Sequence, residues 1–175
     1  QKINIFRGDL NNVYKRFIKF SKELNDEDLI IRITGDNLMV DKYLIKELIN
    51  FYKKNNYNYV SIDRKKSKLP YGIAVELFNL KTLKKWKANN VFEKEHVTTK
   101  IINKEKNQGY FIKNNDKKFY NLRCTLDNIN DYFVIKTVFE KASNLKLNYL
   151  KMCEILNNVK DKEINDQKKN IQILF

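Results

Sequence analysis

The segment Asp28-Leu29-Ile30-Ile31-Arg32-Ile33-Thr34-Gly35-Asp36-Asn37 constrains the fold more than any other stretch of the chain. Its apolar run over 29–33 is broken only by Arg32. A run without alternation reads as a strand buried on both faces, the habit of parallel sheets in α/β proteins. The run stops abruptly at Thr34-Gly35-Asp36. A carboxylate at such a strand end lies on the carboxyl edge of the sheet, where open α/β sheets bind ligands. Asp36 is therefore expected to hold a divalent cation. The same letters also make an ordinary turn, with Asp41 capping the next helix. The segment alone does not separate the two readings.

The neighbouring residues repeat a strand–helix rhythm. A short strand is expected over 3–6, then a turn at Arg7-Gly8-Asp9 with Asp9 as N-cap. Val13, Phe17, Phe20 and Leu24 predict an amphipathic helix over about 10–24. After Asp36, a helix opened by Asp41 turns Leu44, Ile45, Leu48, Ile49 and Tyr52 inward. The order strand, helix, strand, helix argues for βαβ units.

Residues 57–62 read as the next strand, with Tyr57, Tyr59 and Ser61 on one face, and 63–71 as a polar loop holding Pro70. A strand over 74–78 and a short helix through Leu80, Leu83 and Trp86 follow. A helix over 92–103 would carry the single histidine, His96. Residues 109–112 and 119–126 are expected to pair as an antiparallel hairpin across Lys113-Asn114-Asn115-Asp116. The second of these ends in Thr125-Leu126-Asp127 and so repeats the pattern seen at Asp36. Helices carrying Phe133, Ile135, Val138, Phe139 and Ala142, and then over about 148–157, complete one domain, 1–157; residues 158–175 form a charged tail.

Composition narrows the function classes. The charge is +14, from 35 Lys and Arg against 21 Asp and Glu. Nucleic acid is the first partner such a charge suggests, but only Arg7, Arg16, Arg32, Arg64 and Arg123 are arginines. Base readout and bidentate phosphate binding favour Arg, and the lysines are spread along the chain. A solvated lysine-rich surface explains them, and is compatible with an anionic small-molecule substrate. No apolar run approaches the roughly 20 residues of a membrane span. Cys124 and Cys153 have neither zinc nor disulfide-framework spacing, so they are expected to be buried, reduced thiols of a cytoplasmic protein. The chain does not begin with Met or a signal peptide, so it is expected to start inside a longer protein or to have been processed.

Taken in order, Phe6-Arg7-Gly8-Asp9…Val13…Arg16, Arg32-Ile33-Thr34-Gly35-Asp36, Pro70-Tyr71-Gly72-Ile73-Ala74-Val75-Glu76, Glu95-His96-Val97-Thr98 and Leu122-Arg123-Cys124-Thr125-Leu126-Asp127 with Asp131-Tyr132-Phe133 make a recognisable series. It resembles the spore-coat-polysaccharide cytidylyltransferase-like family, relatives of the synthetases that activate 3-deoxy-manno-octulosonate and sialic acids with CTP. The resemblance covers about residues 3–157. It implies a Rossmann-like nucleotide-diphospho-sugar transferase fold, α/β with a mostly parallel sheet and a hairpin insertion, N-terminally incomplete. It implies Mg2+ held by Asp36 and Asp127, and attack of a sugar oxygen on the α-phosphate of a nucleoside triphosphate, CTP first among them. By the same resemblance Arg7, Gly8, Arg32 and Gly35 lie toward the nucleotide, and Gly72, Glu76, Glu95 and His96 toward the sugar. His96 reads equally as a hydrogen-bonded structural histidine, and Arg123 as the partner of a carboxylate. Relatives commonly form homodimers, and residues 109–120 would offer such a surface.

Two departures bear on activity. The family's opening strand and basic, glycine-containing phosphate loop have no counterpart here, so these 175 residues are expected to be inactive alone. Ala74 stands where the family has an acid between Gly72 and Glu76. That change favours the alternative of a catalytically lapsed domain that only binds a nucleotide or sugar.

Overall fold

The structure, a computed structural model, describes residues 4–113, 119–142 and 148–159. In chain order the elements are α1 (Val13–Phe20) with a 3-10 turn at Ser21–Glu23, β1 (Leu29–Arg32), α2 (Lys42–Asn55), β2 (Tyr59–Ile62), β3 (Glu76–Asn79), α3 (Leu80–Lys85), α4 (Val91–Glu95), α5 (Thr99–Lys104), β4 (Gln108–Phe111), α6 (Ile129–Lys141) and α7 (Tyr149–Val159). The strands form one sheet in the order β1-β3-β2-β4. β1 pairs antiparallel with β3, from Leu29 opposite Asn79 to Arg32 opposite Glu76. Asn58 N–H donates to Asn107 O and Asp63 N–H to Phe111 O, each at 2.9 Å. Partner numbers rise together, so β4 runs parallel to β2.

The protein is thus α/β with a mixed sheet, and β1 is not the doubly buried parallel strand its composition suggests. It stands at one end of the strand order, pairs antiparallel, and leaves Ile31 38% exposed. An antiparallel strand can face water on one side, and an apolar run does not report which neighbour it will have.

The chain divides into two compact units. The first comprises 1–32, 51–60 and 76–109. Its core gathers Tyr14, Tyr59, Phe78, Leu80, Leu83, Ala88, Val97 and Ile101. The one hydroxyl on α1's buried face, that of Tyr14, donates to Leu83 O at 3.2 Å. Glu105, 4% exposed, takes hydrogen bonds from Lys85, Trp86, Asn58 and the Asn107 backbone. Burial pushes its carboxyl up, but these donors outweigh burial and hold it at about 2.

The second unit comprises 33–50, 61–75 and 110–175. Here α6 packs on α7, burying Ile135, Val138, Met152, Cys153 and Leu156. Asp41 caps α2 as expected, its carboxylate taking the N–H groups of Tyr43 and Leu44 at 2.8 Å. The other carboxylate oxygen takes the Tyr149 N–H at the start of α7. Both cysteines are buried and free; burial pushes the Cys124 thiol up to about 12.

Other expectations give way to specific competitors. Residues 4–6 are not a strand, and Ile3 lies outside the described residues. α1 begins at Val13 because Asn12, not Asp9, caps it, accepting from Lys15 N–H; Asp9 instead closes the turn before it through Asn11 and Asn12 N–H. The expected helix over 92–103 breaks at 96–98 into α4 and α5, the break burying Val97 and Thr98. The hairpin does not form among the described residues, since 119–126 bridges to Tyr71 and Asn37 instead. Residues 114–118 and the tail from 160 lie outside the described residues.

Candidate functional site

In the second unit, the turn after β1 closes with Asn37 N–H on Thr34 O at 3.1 Å. An extended segment then runs alongside it. Tyr71 and Arg123 form a parallel bridge, with Tyr71 N–H on Leu122 O at 2.9 Å and Cys124 N–H on Tyr71 O at 2.7 Å. Asn37 and Thr125 form an antiparallel bridge, and Leu126 N–H donates to Asp36 O at 3.1 Å. The carbonyl of Asp36 is therefore bonded to the residue just before Asp127. Two acids 91 positions apart in the sequence are brought to adjoining backbone positions.

Their surroundings differ. Among the described residues the Asp36 carboxylate takes no hydrogen bond or ion pair, and the side chain is half-buried. Asp127 is held on one oxygen. Its Oδ2 accepts from Thr125 Oγ1 at 2.7 Å and from the Arg123 guanidinium. Its backbone N–H donates to Asp131 Oδ2 at 3.0 Å. Asp131 is also the third residue of α6 and closes a capping box with Asn128. Arg123 spans the group, with Nε 3.8 Å from Asp131 Oδ1 and its guanidinium 5.2 Å from the Tyr71 ring centroid. Beside them a recess of about 140 Å³ has Arg123, Thr125 and Asp131 on its polar side and Val134, Ile135 and Leu156 on its apolar side.

The two glycines here have different reasons to be glycine. Gly72 has φ +103°, and a Cβ there would lie 2.9 Å from Cys124 C, Thr125 N and Thr125 Cγ2. It is required for close approach of the 71–72 backbone to 124–125. At Gly35 a Cβ would meet nothing within 4 Å. Neither packing nor a positive φ demands glycine there, and the space beside Asp36 stays open.

The remaining expected site residues lie in the first unit. Arg32 and Glu76 face each other across β1 and β3 as an ion pair, their side chains 17% and 14% exposed. Glu76 Oε1 also accepts from Tyr59 Oη and Thr98 Oγ1, each at 2.7 Å. Glu76 is thus fully engaged by its own unit. Arg7, Gly8 and Glu95 are exposed. His96 ends α4 with its N–H on Phe92 O at 2.8 Å, and its ring lies 4.4 Å from that of Phe92. The signal for the Thr125 and Asp131 contacts to Asp127 is the run Arg-x-Thr-x-Asp: in an extended segment, residues two apart share a face, and Asn128 with Asp131 has capping-box spacing.

Two carboxylates, one uncommitted and one with a free oxygen, suit a hard divalent cation. No group of three or more His, Cys, Asp or Glu side chains suited to a metal occurs among the described residues. Further ligands would have to be phosphate oxygens and water.

The chain is 34% identical over 142 residues to an uncharacterised protein of Methanocaldococcus jannaschii, covering 74% of this chain. It is 30% identical over 149 residues to the spore coat polysaccharide biosynthesis protein SpsF of Bacillus subtilis, covering 81% of this chain. It spans 53% and 59% of those two relatives' own lengths. A cytidylyltransferase structure from Leptospira borgpetersenii shares the fold, with a TM-score of 0.75 at 22% identity, over 91% of this chain and 67% of that one. No helix among the described residues is long and apolar enough to cross a membrane. A family model described as cytidylyltransferase matches residues 1–170, and the chain belongs to that family.

Proposed function

We propose that this chain carries the catalytic edge of a Mg2+-dependent cytidylyltransferase that transfers CMP from CTP to an acidic or related sugar for surface polysaccharide synthesis. The observation that carries the reading is the backbone junction of Asp36 with the residue preceding Asp127. Family membership supports the nucleotide, and the SpsF relative, a spore coat polysaccharide biosynthesis protein, supports the polysaccharide.

In the reaction a sugar oxygen forms a bond to the α-phosphorus, the bond from that phosphorus to the bridging oxygen breaks, and pyrophosphate leaves. The sugar hydroxyl proton passes to solvent. Asp36 and Asp127 would hold Mg2+, which when bound supplies neutralisation of phosphate charge. Asp127 enters with its backbone and one oxygen already fixed. Open space at Gly35 gives the nucleotide room beside Asp36. Glu76 holds Arg32 within the first unit, and in the second unit Gly72 is assigned to the sugar side.

Calorimetric titration of CTP with and without Mg2+, on this chain and on the longest form of the protein containing it, tests the reading. Mg2+-dependent binding that Asp36→Ala abolishes is expected. Absence of nucleotide binding by the folded longer form would overturn it.

A further inference from the structure

We propose that Thr125 and Arg123 are positioning residues that dedicate Asp127 Oδ2 to the protein and leave Oδ1 as the single cation-ligating atom of that side chain. The inference rests on the cation reading of the preceding section and makes it more specific. Both side-chain donors to Asp127 converge on the same oxygen, Thr125 Oγ1 at 2.7 Å and the Arg123 guanidinium. Among the described residues Oδ1 receives no donor. The Asp127 backbone is fixed independently by Asp131 Oδ2 at 3.0 Å. A carboxylate with one oxygen doubly bonded and its main chain pinned has little freedom to rotate, so it meets a cation through one atom in one orientation.

The donors are themselves held. Thr125 is 3% exposed, and its methyl packs against the space that Gly72 leaves empty. Arg123, half exposed, lies near both Asp131 Oδ1, 3.8 Å from its Nε, and the Tyr71 ring. Hydrogen-bonded orientation of a ligating carboxylate is the usual way a protein tunes a metal, and losing such a partner costs about 10–100-fold in metal affinity. Thr125 gives the cleaner test. Removing its hydroxyl changes no charge, whereas removing Arg123 also removes a cation close to the metal.

The test is Mn2+ binding followed by the electron paramagnetic resonance signal of the free ion, on wild type, Thr125→Val, Thr125→Ser and Asp36→Ala, with thermal melting of each in the absence of metal. Thr125→Val keeps the buried shape and is expected to melt near wild type. It should bind Mn2+ about 10-fold or more weakly. Thr125→Ser keeps the hydroxyl and should restore affinity to within about 3-fold, although it loses the methyl. Wild-type affinity in a folded Thr125→Val, or equal weakening in Thr125→Ser, would overturn the positioning role while leaving the cation site standing. Failure of wild type to bind Mn2+, or binding that Asp36→Ala does not weaken, would overturn the cation reading and the positioning role together.

Discussion

Replacing Gly72 with alanine separates a structural glycine from a substrate-contacting one. A side chain at φ +103° is strained by about 1–3 kcal/mol. The new Cβ would also sit 2.9 Å from three atoms, two of them the backbone atoms Cys124 C and Thr125 N, which cannot rotate away. Relieving that contact costs about another 1–3 kcal/mol. The sum, about 2–6 kcal/mol, is a large share of the roughly 5–15 that holds a domain folded. Urea unfolding measures the loss. Amide hydrogen exchange locates it: Cys124 N–H on Tyr71 O and Leu126 N–H on Asp36 O should exchange faster, because both bonds belong to the segment displaced. Mn2+ affinity should fall with them, since that segment leads into Asp127. A variant within about 0.5 kcal/mol of wild type, the ordinary range for an unimportant surface change, with unaltered exchange, would refute the reasoning.

Gly35→Ala is expected to behave in the opposite way: stability unchanged or raised by about 0.4–1 kcal/mol, but CTP binding weakened, as calorimetry would show, because the methyl enters the space beside Asp36. Glu105 should stabilise the fold above its ordinary value of 4.5 and lose that contribution as pH falls toward about 2. The difference is worth about 3 kcal/mol, so the gap in urea stability between wild type and Glu105→Gln should narrow from about pH 7 to about pH 3. Neither thiol should react with a disulfide reagent in the native protein near neutral pH, both being buried with the thiolate disfavoured, and both should react on denaturation.

Much of the local structure is legible in the sequence. Apolar spacing located most helices and strands to within a few residues, the Asp41 cap was readable from its place before Leu44 and Leu48, and the two strand-like runs ending in Asp36 and Asp127 were visible as a repeated pattern. The errors share a cause. Asp9 and Asn12 are both good caps, and the one followed by α1's apolar face won. The periodicity continues through His96, but the backbone leaves helical geometry there and buries Val97 and Thr98 in the break.

Local pattern is thus written in the chain: most of the inward-facing residues, the presence of most elements, and the family that the ordered motifs match. Partner choice was left to the tertiary structure. Past a turn at Tyr120-Asn121 the run over 122–126 is extended, as its composition suggests, yet an extended backbone offers the same N–H and C=O groups to every neighbour. Only the positions of Tyr71 and Asn37 decided that it would bridge to them rather than close a hairpin. Arg32 and Glu76 became a half-buried pair because β1 met β3 antiparallel in one register, and no one-residue slip would have left them facing. Gly35 and Gly72 look alike as letters. One stands in open space and the other beneath a neighbouring backbone, because steric demand comes from atoms distant in sequence, which only the folded chain brings near.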